Sequence, residues 1–275
     1  MKNSVVKIAA IAAVVGCLFT ACSKKESAEE AKPTTLLGQI KARGEMIVGT
    51  ASGYAPYEFV DIKAAGTPIV GIDIALAQAI ADKIGVKLSV QDMSFSALLS
   101  SIPAGKIDIA IAGICPTEER KKTVDFSQVY LDAEQKVLIR KTDAEKYTQI
   151  QDFYGTKLAA QKATTQEALA KAEVKDVELV VLDKVPECVL ELLSGKIEGV
   201  VVESVVATQY VIANPSLQFS DAVFENKYKP TAAALAKGNE DFLTIVNEVI
   251  EEKKNDGSFD KWIQEYSQKA VDNTK

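Results

Sequence analysis

The chain has 275 residues, with 32 Lys and Arg against 38 Asp and Glu, a net charge of −6, four Cys and no His. So acidic a chain offers no electrostatic footing for nucleic acid or for direct attachment to anionic lipid. Without His, most zinc sites and every Ser–His or Cys–His nucleophile arrangement are excluded, and no metal, cofactor or catalytic residue is expected.

Lys2 and Lys7 flank a basic start, and residues 8–19 then run apolar over about 12 positions, short of the roughly 20 that a spanning helix needs. Residues 1–21 therefore read as a secretory signal peptide. Phe19-Thr20-Ala21-Cys22 resembles the lipobox of bacterial lipoproteins, in which the Cys is acylated. Val14-Val15-Gly16-Cys17 fits the same pattern, but Cys22 is preferred because polar chain begins directly after it. Two acyl chains suffice for stable anchoring. The expectation is a protein lipid-anchored to the extracytoplasmic face of a bacterial cell membrane. Residues 22–35 are rich in Lys, Glu, Ala and Ser and read as a flexible tether. Loss of Lys2 and Lys7 with the signal leaves a net charge of −8. Cys115 and Cys188 lie too far apart to suggest a disulfide framework, so the body must be held by a core.

The body of about 240 residues suits one large or two modest domains. Residues 46–49 predict a strand, 73–84 a helix closed by Gly85, and 86–90 an alternating strand. Residues 98–104 lead as a helix into Gly105-Lys106-Ile107-Asp108 and a β-branched run. About ninety residues later, residues 189–194 lead into Gly195-Lys196-Ile197-Glu198 in the same way. This weak internal repeat predicts two copies of a helix, a Gly cap and a buried strand. Between the copies, 157–160 predict a strand, Thr164-Thr165-Gln166-Glu167 a capping box opening a helix, and 177–182 a further strand. Residues 242–252 predict an amphipathic helix. Alternating strands and helices predict an α/β architecture of parallel sheets. Ligands bind beyond the carboxyl ends of such strands, which singles out residues 112–120 and Glu203 and its neighbours.

Arg120 follows Thr117, a candidate N-cap, and so falls in the first turn of a helix. A cation there opposes the helix dipole, which disfavours an idle role, and a guanidinium can hold a carboxylate by two parallel hydrogen bonds. The bland alternative is a solvated charge beside Lys121 and Lys122. Thr164 and Thr165 stand at a helix N-terminus, suited to an anion or to ordinary capping. Glu203 lies in an apolar run, where a carboxylate must be paired or stand at a strand end facing water. Tyr54 and Phe95, taken alone, read as packing aromatics, and Tyr57 and Phe59 as core.

Gly49-Thr50, Tyr54-Ala55-Pro56-Tyr57-Glu58-Phe59, Gly71-Ile72-Asp73, Gly105-Lys106-Ile107-Asp108, Thr117-Glu118-Glu119-Arg120 and Val124-Asp125-Phe126-Ser127 occur in that order. This ordered set resembles the bacterial extracellular solute-binding protein family 3, receptors of amino-acid ABC importers, and the resemblance covers nearly all of the chain from Leu36 to Tyr266. The resemblance implies a two-lobed, type II periplasmic-binding-protein-like α/β fold with two hinge strands. Lobe 1 would comprise residues 36–133 and 231–275, and lobe 2 residues 134–230, with hinge strands at 136–140 and 232–236. It implies that Arg120, Thr164 and Thr165 hold the ligand's α-carboxylate, and that Glu203, where Asp is usual, accepts from the α-ammonium. Tyr54 and Phe95 would bracket the ligand's side chain, while Gly113 and Cys115 lie on a loop supplying main-chain groups. Cys115 replaces the usual Ser or Thr. Ala51 stands where receptors for basic amino acids often carry Asp, leaving basic and neutral polar ligands both open.

The partners implied are an amino acid, an ABC permease and its ATPase, and the membrane through the lipid anchor, with the protein itself a monomer. Two other functions fit the same resemblance. One is an enzyme like the cyclohexadienyl dehydratases, with Glu203 as its proton-transfer group. The other is a sensory or adhesive lipoprotein.

Overall fold

A computed structural model describes residues 34–274, so the signal, Cys17, Cys22 and nearly all of the tether lie outside the described residues. The chain begins with α1 (Leu36–Arg43), β1 (Glu45–Thr50), β2 (Phe59–Val60), β3 (Ile69–Val70), α2 (Ile72–Ile84) and β4 (Lys87–Asp92). Next come α3 (Phe95–Ser101), β5 (Ile109–Ala110), α4 (Glu118–Lys121) and β6 (Val124–Phe126). A long strand, β7 (Leu131–Arg140), then enters a second set formed by β8 (Lys157–Gln161), α5 (Thr165–Glu173), β9 (Glu178–Leu182), α6 (Val185–Leu193), β10 (Gly199–Glu203), α7 (Ser204–Ala213) and β11 (Leu217–Phe219). The chain returns through β12 (Tyr228–Thr231) and β13 (Ala234–Ala236) to α8 (Glu240–Asn255) and α9 (Ser258–Asp272).

Each lobe is built on one sheet, ordered β4-β1-β5-β13-β6 in the first and β11-β7-β10-β8-β9 in the second. The pairs β1–β4, β1–β5, β8–β9 and β8–β10 are parallel, whereas β13 and β7 run antiparallel to their neighbours. The sheets are therefore mixed rather than wholly parallel. A parallel neighbour needs a crossover connection, and β7 and β13 each arrive from the other lobe without one.

The strands linking the lobes differ from the segments expected. Residues 135–139 pair with β10, and residues 234–236 pair with β6, so both lie within the sheets. Linkage is made earlier, where β12 lies antiparallel to β7 from Tyr228↔Glu134 to Thr231↔Leu131. The apolar residues that marked 136–140 as a crossing are sheet core: Val137, Leu138 and Ile139 are fully buried.

The internal repeat is a structural one. In the first copy the Gly105 N–H donates to Ile102 O at 3.0 Å and the Lys106 N–H to Ser101 O at 3.0 Å. In the second, Gly195 donates to Leu192 O at 3.1 Å and Lys196 to Glu191 O at 3.1 Å. Both are Schellman closures, and each places its Gly at positive φ, 66° and 75°, where a side chain would be strained. The acid three residues on is also matched: Asp108 takes the Ile47 N–H at 2.7 Å, and Glu198 takes the Lys157 N–H at 2.9 Å. Each copy thus delivers its strand, β5 or β10, into the middle of its sheet, with the carboxyl end at one edge.

The core follows from these elements. Met46 and Val48 of β1, Leu76 and Ile80 of α2, and Phe242, Val246 and Ile250 of α8 are all fully buried. In the second lobe Ile139, Phe153, Leu158 and Val201 form a comparable cluster. Each such side chain contributes on the order of 1.5–3 kcal/mol by leaving water. Among the described residues no helix is long and apolar enough to cross a membrane.

Candidate functional site

Loops at the carboxyl ends of β1, β4 and β5 in the first lobe meet those of β8 and β10 in the second, the edges at which an α/β sheet presents ligand groups. Between them Tyr54, Glu58, Phe95, Gly113, Cys115, Arg120, Gln161, Thr164, Thr165, Gln166 and Lys229 line one cavity. It measures about 10 Å3, room for about one water molecule. Of the eight residues expected at the site, seven line this cavity; Glu203 does not.

Arg120 stands in the four-residue α4, whose N-cap Thr117 accepts the Arg120 N–H at 3.3 Å. Its two terminal guanidinium nitrogens donate in different directions, to Cys115 O at 2.8 Å and to Ala163 O, across the cleft, at 2.9 Å. Phe95 lies beneath it, with the guanidinium carbon 5.4 Å from the ring centroid. Burial disfavours the guanidinium's charge and lowers its pKa. Each terminal nitrogen carries two hydrogens, so this geometry leaves one on each for a carboxylate.

Thr164 is the N-cap of α5, accepting the Glu167 N–H at 3.2 Å while donating to Gln161 O at 2.6 Å. The expected capping box forms by this Thr164 half, while its return bond moves by one residue. The Glu167 carboxylate takes the Ala163 N–H at 2.7 Å, because Ala163 turns at φ 62° and brings its N–H over the helix end. The Thr165 hydroxyl donates to Gln166 Oε1 at 3.3 Å. Gln166 in turn donates to the Tyr54 hydroxyl at 3.3 Å, a second bond across the cleft. A third comes from Lys184, whose ammonium donates to Ser52 Oγ at 3.4 Å.

Tyr54 stacks on Tyr57 with ring centroids 5.7 Å apart. Gly113 turns at φ 56° directly against it: a Cβ there would lie 3.1 Å from Tyr54 Cε1. The Gly113 N–H donates to Asp73 Oδ2 at 2.7 Å, and the Tyr130 hydroxyl donates to Asp73 Oδ1 at 2.9 Å. Burial nevertheless pushes the Asp73 carboxyl up to about 6. Glu58, beside it, is raised well above the usual carboxylate range, by burial first and then by the Asp73 charge. Cys115 is a free, half-buried thiol whose pKa burial also raises.

Glu203 ends β10 fully buried, and its Oε2 lies 2.7 Å from the ammonium of Lys229. Lys229, itself 3 % exposed, also donates to Gly113 O at 2.8 Å and faces the Tyr54 ring at 5.8 Å. The lysine therefore stands between Glu203 and the cavity. No pattern in the sequence singles out Lys229 or Gln161, and Glu58 and Gln166 stand out there only as parts of motifs. Among the described residues no cluster of His, Cys, Asp and Glu is arranged to hold a metal.

Comparison with known proteins agrees with this architecture. The family model of bacterial extracellular solute-binding proteins, family 3, matches residues 46–269. The chain is 28 % identical over 254 residues to the arginine-binding extracellular protein ArtP of Bacillus subtilis, covering 91 % of this chain and 93 % of that one. It superposes on the amino acid ABC transporter substrate-binding protein AbpA of Streptococcus pneumoniae, solved bound to L-arginine, with a TM-score of 0.82 and 35 % identity over 84 % of this chain and 98 % of that one. An ancestral amino-acid-binding protein, described as a precursor of cyclohexadienyl dehydratase, matches with a TM-score of 0.77 and 30 % identity over 84 % of this chain and 99 % of that one. With two sheet-based lobes, a cleft at their strand ends and a family match over most of its length, this chain belongs to the bacterial extracellular solute-binding proteins, family 3.

Proposed function

We propose that the protein captures a polar amino acid in the cleft by its carboxylate and delivers it to the permease and ATPase of an ABC importer. The observation that carries this reading is Arg120, which spans the cleft between Cys115 O and Ala163 O with a hydrogen left on each terminal nitrogen. Thr164 and Thr165 at the start of α5 would complete the carboxylate site, with Gly113 and Cys115 offering main-chain groups beside it. Tyr54 and Phe95 would form the walls for the ligand's side chain. The amino-acid receptors ArtP and AbpA support the ligand class, and arginine is the first ligand to test.

A cavity of about 10 Å3 admits no amino acid, so entry requires the lobes to part. The β7–β12 ladder is the element about which they would bend, with lobe 1 formed by residues 36–133 and 231–275 and lobe 2 by residues 134–230. The bonds from Arg120, Gln166 and Lys184 across the cleft would then hold the closed state. The reading further takes the protein to be a monomer that binds without turning its ligand over, exported by residues 1–21 and anchored through acylated Cys22. Cys22→Ala is expected to release it from the membrane fraction; retention of Cys22→Ala with release of Cys17→Ala would move the acylation to Cys17, and retention of both would remove the anchor from the account.

Thermal-shift screening of the twenty standard amino acids on the mature body tests the function. At least one polar amino acid should raise the melting temperature and be recovered unaltered, as mass spectrometry would record. No shift with any of them would overturn the reading, and recovery of an altered ligand would favour an enzyme.

A further inference from the structure

The carbonyl of Gly113 and the carboxylate of Glu203 converge on a single ammonium, that of Lys229, at 2.8 and 2.7 Å. Two acceptors so placed, with the Tyr54 and Tyr57 rings 5.8 and 6.0 Å away, form an ammonium seat of the kind an amino acid's α-nitrogen would fill. Here the chain fills it with its own side chain. Lys229 is fixed by the β12–β7 ladder, where it pairs with Ala133, and is almost wholly buried. Displacing its ammonium would either leave a buried charge unpaired or require both ions to be separated inside the protein, and neither is cheap.

We propose that Lys229 is a specificity-determining residue that occupies the ammonium seat, so that the cleft recognises small carboxylates without requiring an α-ammonium. The ligand class then includes 2-hydroxy and 2-oxo acids alongside amino acids. Arg120 reads the carboxylate, the Tyr54 and Phe95 walls read the side chain, and the substituent on the α-carbon meets the Lys229 ammonium, which already holds Glu203 behind it. This inference rests on the carboxylate reading of the cleft given above.

Calorimetric titration of each amino acid that binds, against its 2-hydroxy acid of the same side chain, tests it on the unaltered protein. Affinities within about tenfold of each other are expected. A receptor that seats the ammonium on a buried carboxylate would instead lose on the order of 100-fold or more with the hydroxy acid, and that result would overturn the proposal while leaving the Arg120 clamp intact. Lys229→Met supplies the reciprocal measurement. It frees Glu203 and Gly113 O, and the preference for amino acid over hydroxy acid should rise at least tenfold. An unchanged preference in a folded Lys229→Met protein would also contradict the assignment. If Lys229→Met does not fold, the comparison on the unaltered protein decides alone. Failure of every amino acid and every 2-hydroxy acid to bind would overturn the carboxylate reading itself, and this inference with it.

Discussion

Glu203 and Lys229 form an ion pair inside the protein, 2.7 Å between Oε2 and Nζ, with side chains 0 and 3 % exposed. One partner ends β10 of the second sheet and the other belongs to the strand linking the lobes. The pair therefore ties the end of β10 to the segment about which the cleft would open.

Removing one member of such a pair strands the other in a medium that solvates it poorly. Glu203→Ala should lower folding stability by about 3–5 kcal/mol. The double change Glu203→Leu with Lys229→Met removes both charges and should cost less than Glu203→Ala alone. Urea unfolding of the three proteins checks this. A double variant less stable than Glu203→Ala would contradict it.

The acids beneath Gly113 predict a pH dependence of stability. Burial raises the Asp73 carboxyl to about 6, and an unfolded Asp titrates near 4. Between those values the folded protein binds more protons than the unfolded one, so Asp73 makes stability fall as pH rises. The loss amounts to up to about 3 kcal/mol between pH 4 and 6 or somewhat above. Glu58, raised in the same direction, extends it upward. Asp73→Asn should therefore lose less stability than the unaltered protein across that interval in urea midpoints measured at each pH. An equal or steeper fall in the variant would contradict the assignment.

Two glycines at similar positive φ separate strain from site geometry. Gly105 has φ 66° and nothing within 4 Å of where a Cβ would stand, whereas Gly113 has φ 56° and the Tyr54 ring at 3.1 Å. Gly105→Ala should cost about 1–2 kcal/mol of stability and leave ligand affinity unchanged. Gly113→Ala should cost at least as much and also weaken binding about tenfold or more, by pushing Tyr54 into the cleft. Equal ligand affinities for the two variants would contradict this account of the Gly113 contact.

Much of this fold was legible because its signals are local. Gly85, Gly105 and Gly195 close helices where the apolar periodicity ends, and each takes positive φ as an αL cap requires. The capping motif at Thr164 and the N-cap at Thr117 placed Thr165 and Arg120 at helix starts from side-chain chemistry alone. What was missed depends on pairing between distant segments. Glu225-Asn226-Lys227-Tyr228-Lys229 reads as a polar surface stretch. Only the antiparallel pairing of β12 with β7 turns Tyr228 outward and Lys229 inward. Strands of two or three residues, such as β2, β3 and β11, carry too little pattern to reveal a period. The misplaced hinge has the same origin, since an apolar run marks burial without saying in which sheet. Gln166 reaches Tyr54 only because the lobes meet, a relation between residues 112 positions apart.

The central claim, that Arg120 holds the ligand's carboxylate, is tested most directly by calorimetric titration of Arg120→Ala with the amino acid that stabilises the unaltered protein best. Removing one partner of a buried ion pair costs about 3–5 kcal/mol, which corresponds to roughly two to three and a half decades in affinity. Arg120→Lys should also bind poorly, since an ammonium cannot reproduce the planar two-nitrogen contact. A loss of about a hundredfold or more in folded Arg120→Ala is the predicted result. Affinity within about twofold of the unaltered protein would make Arg120 a bystander and contradict the carboxylate clamp.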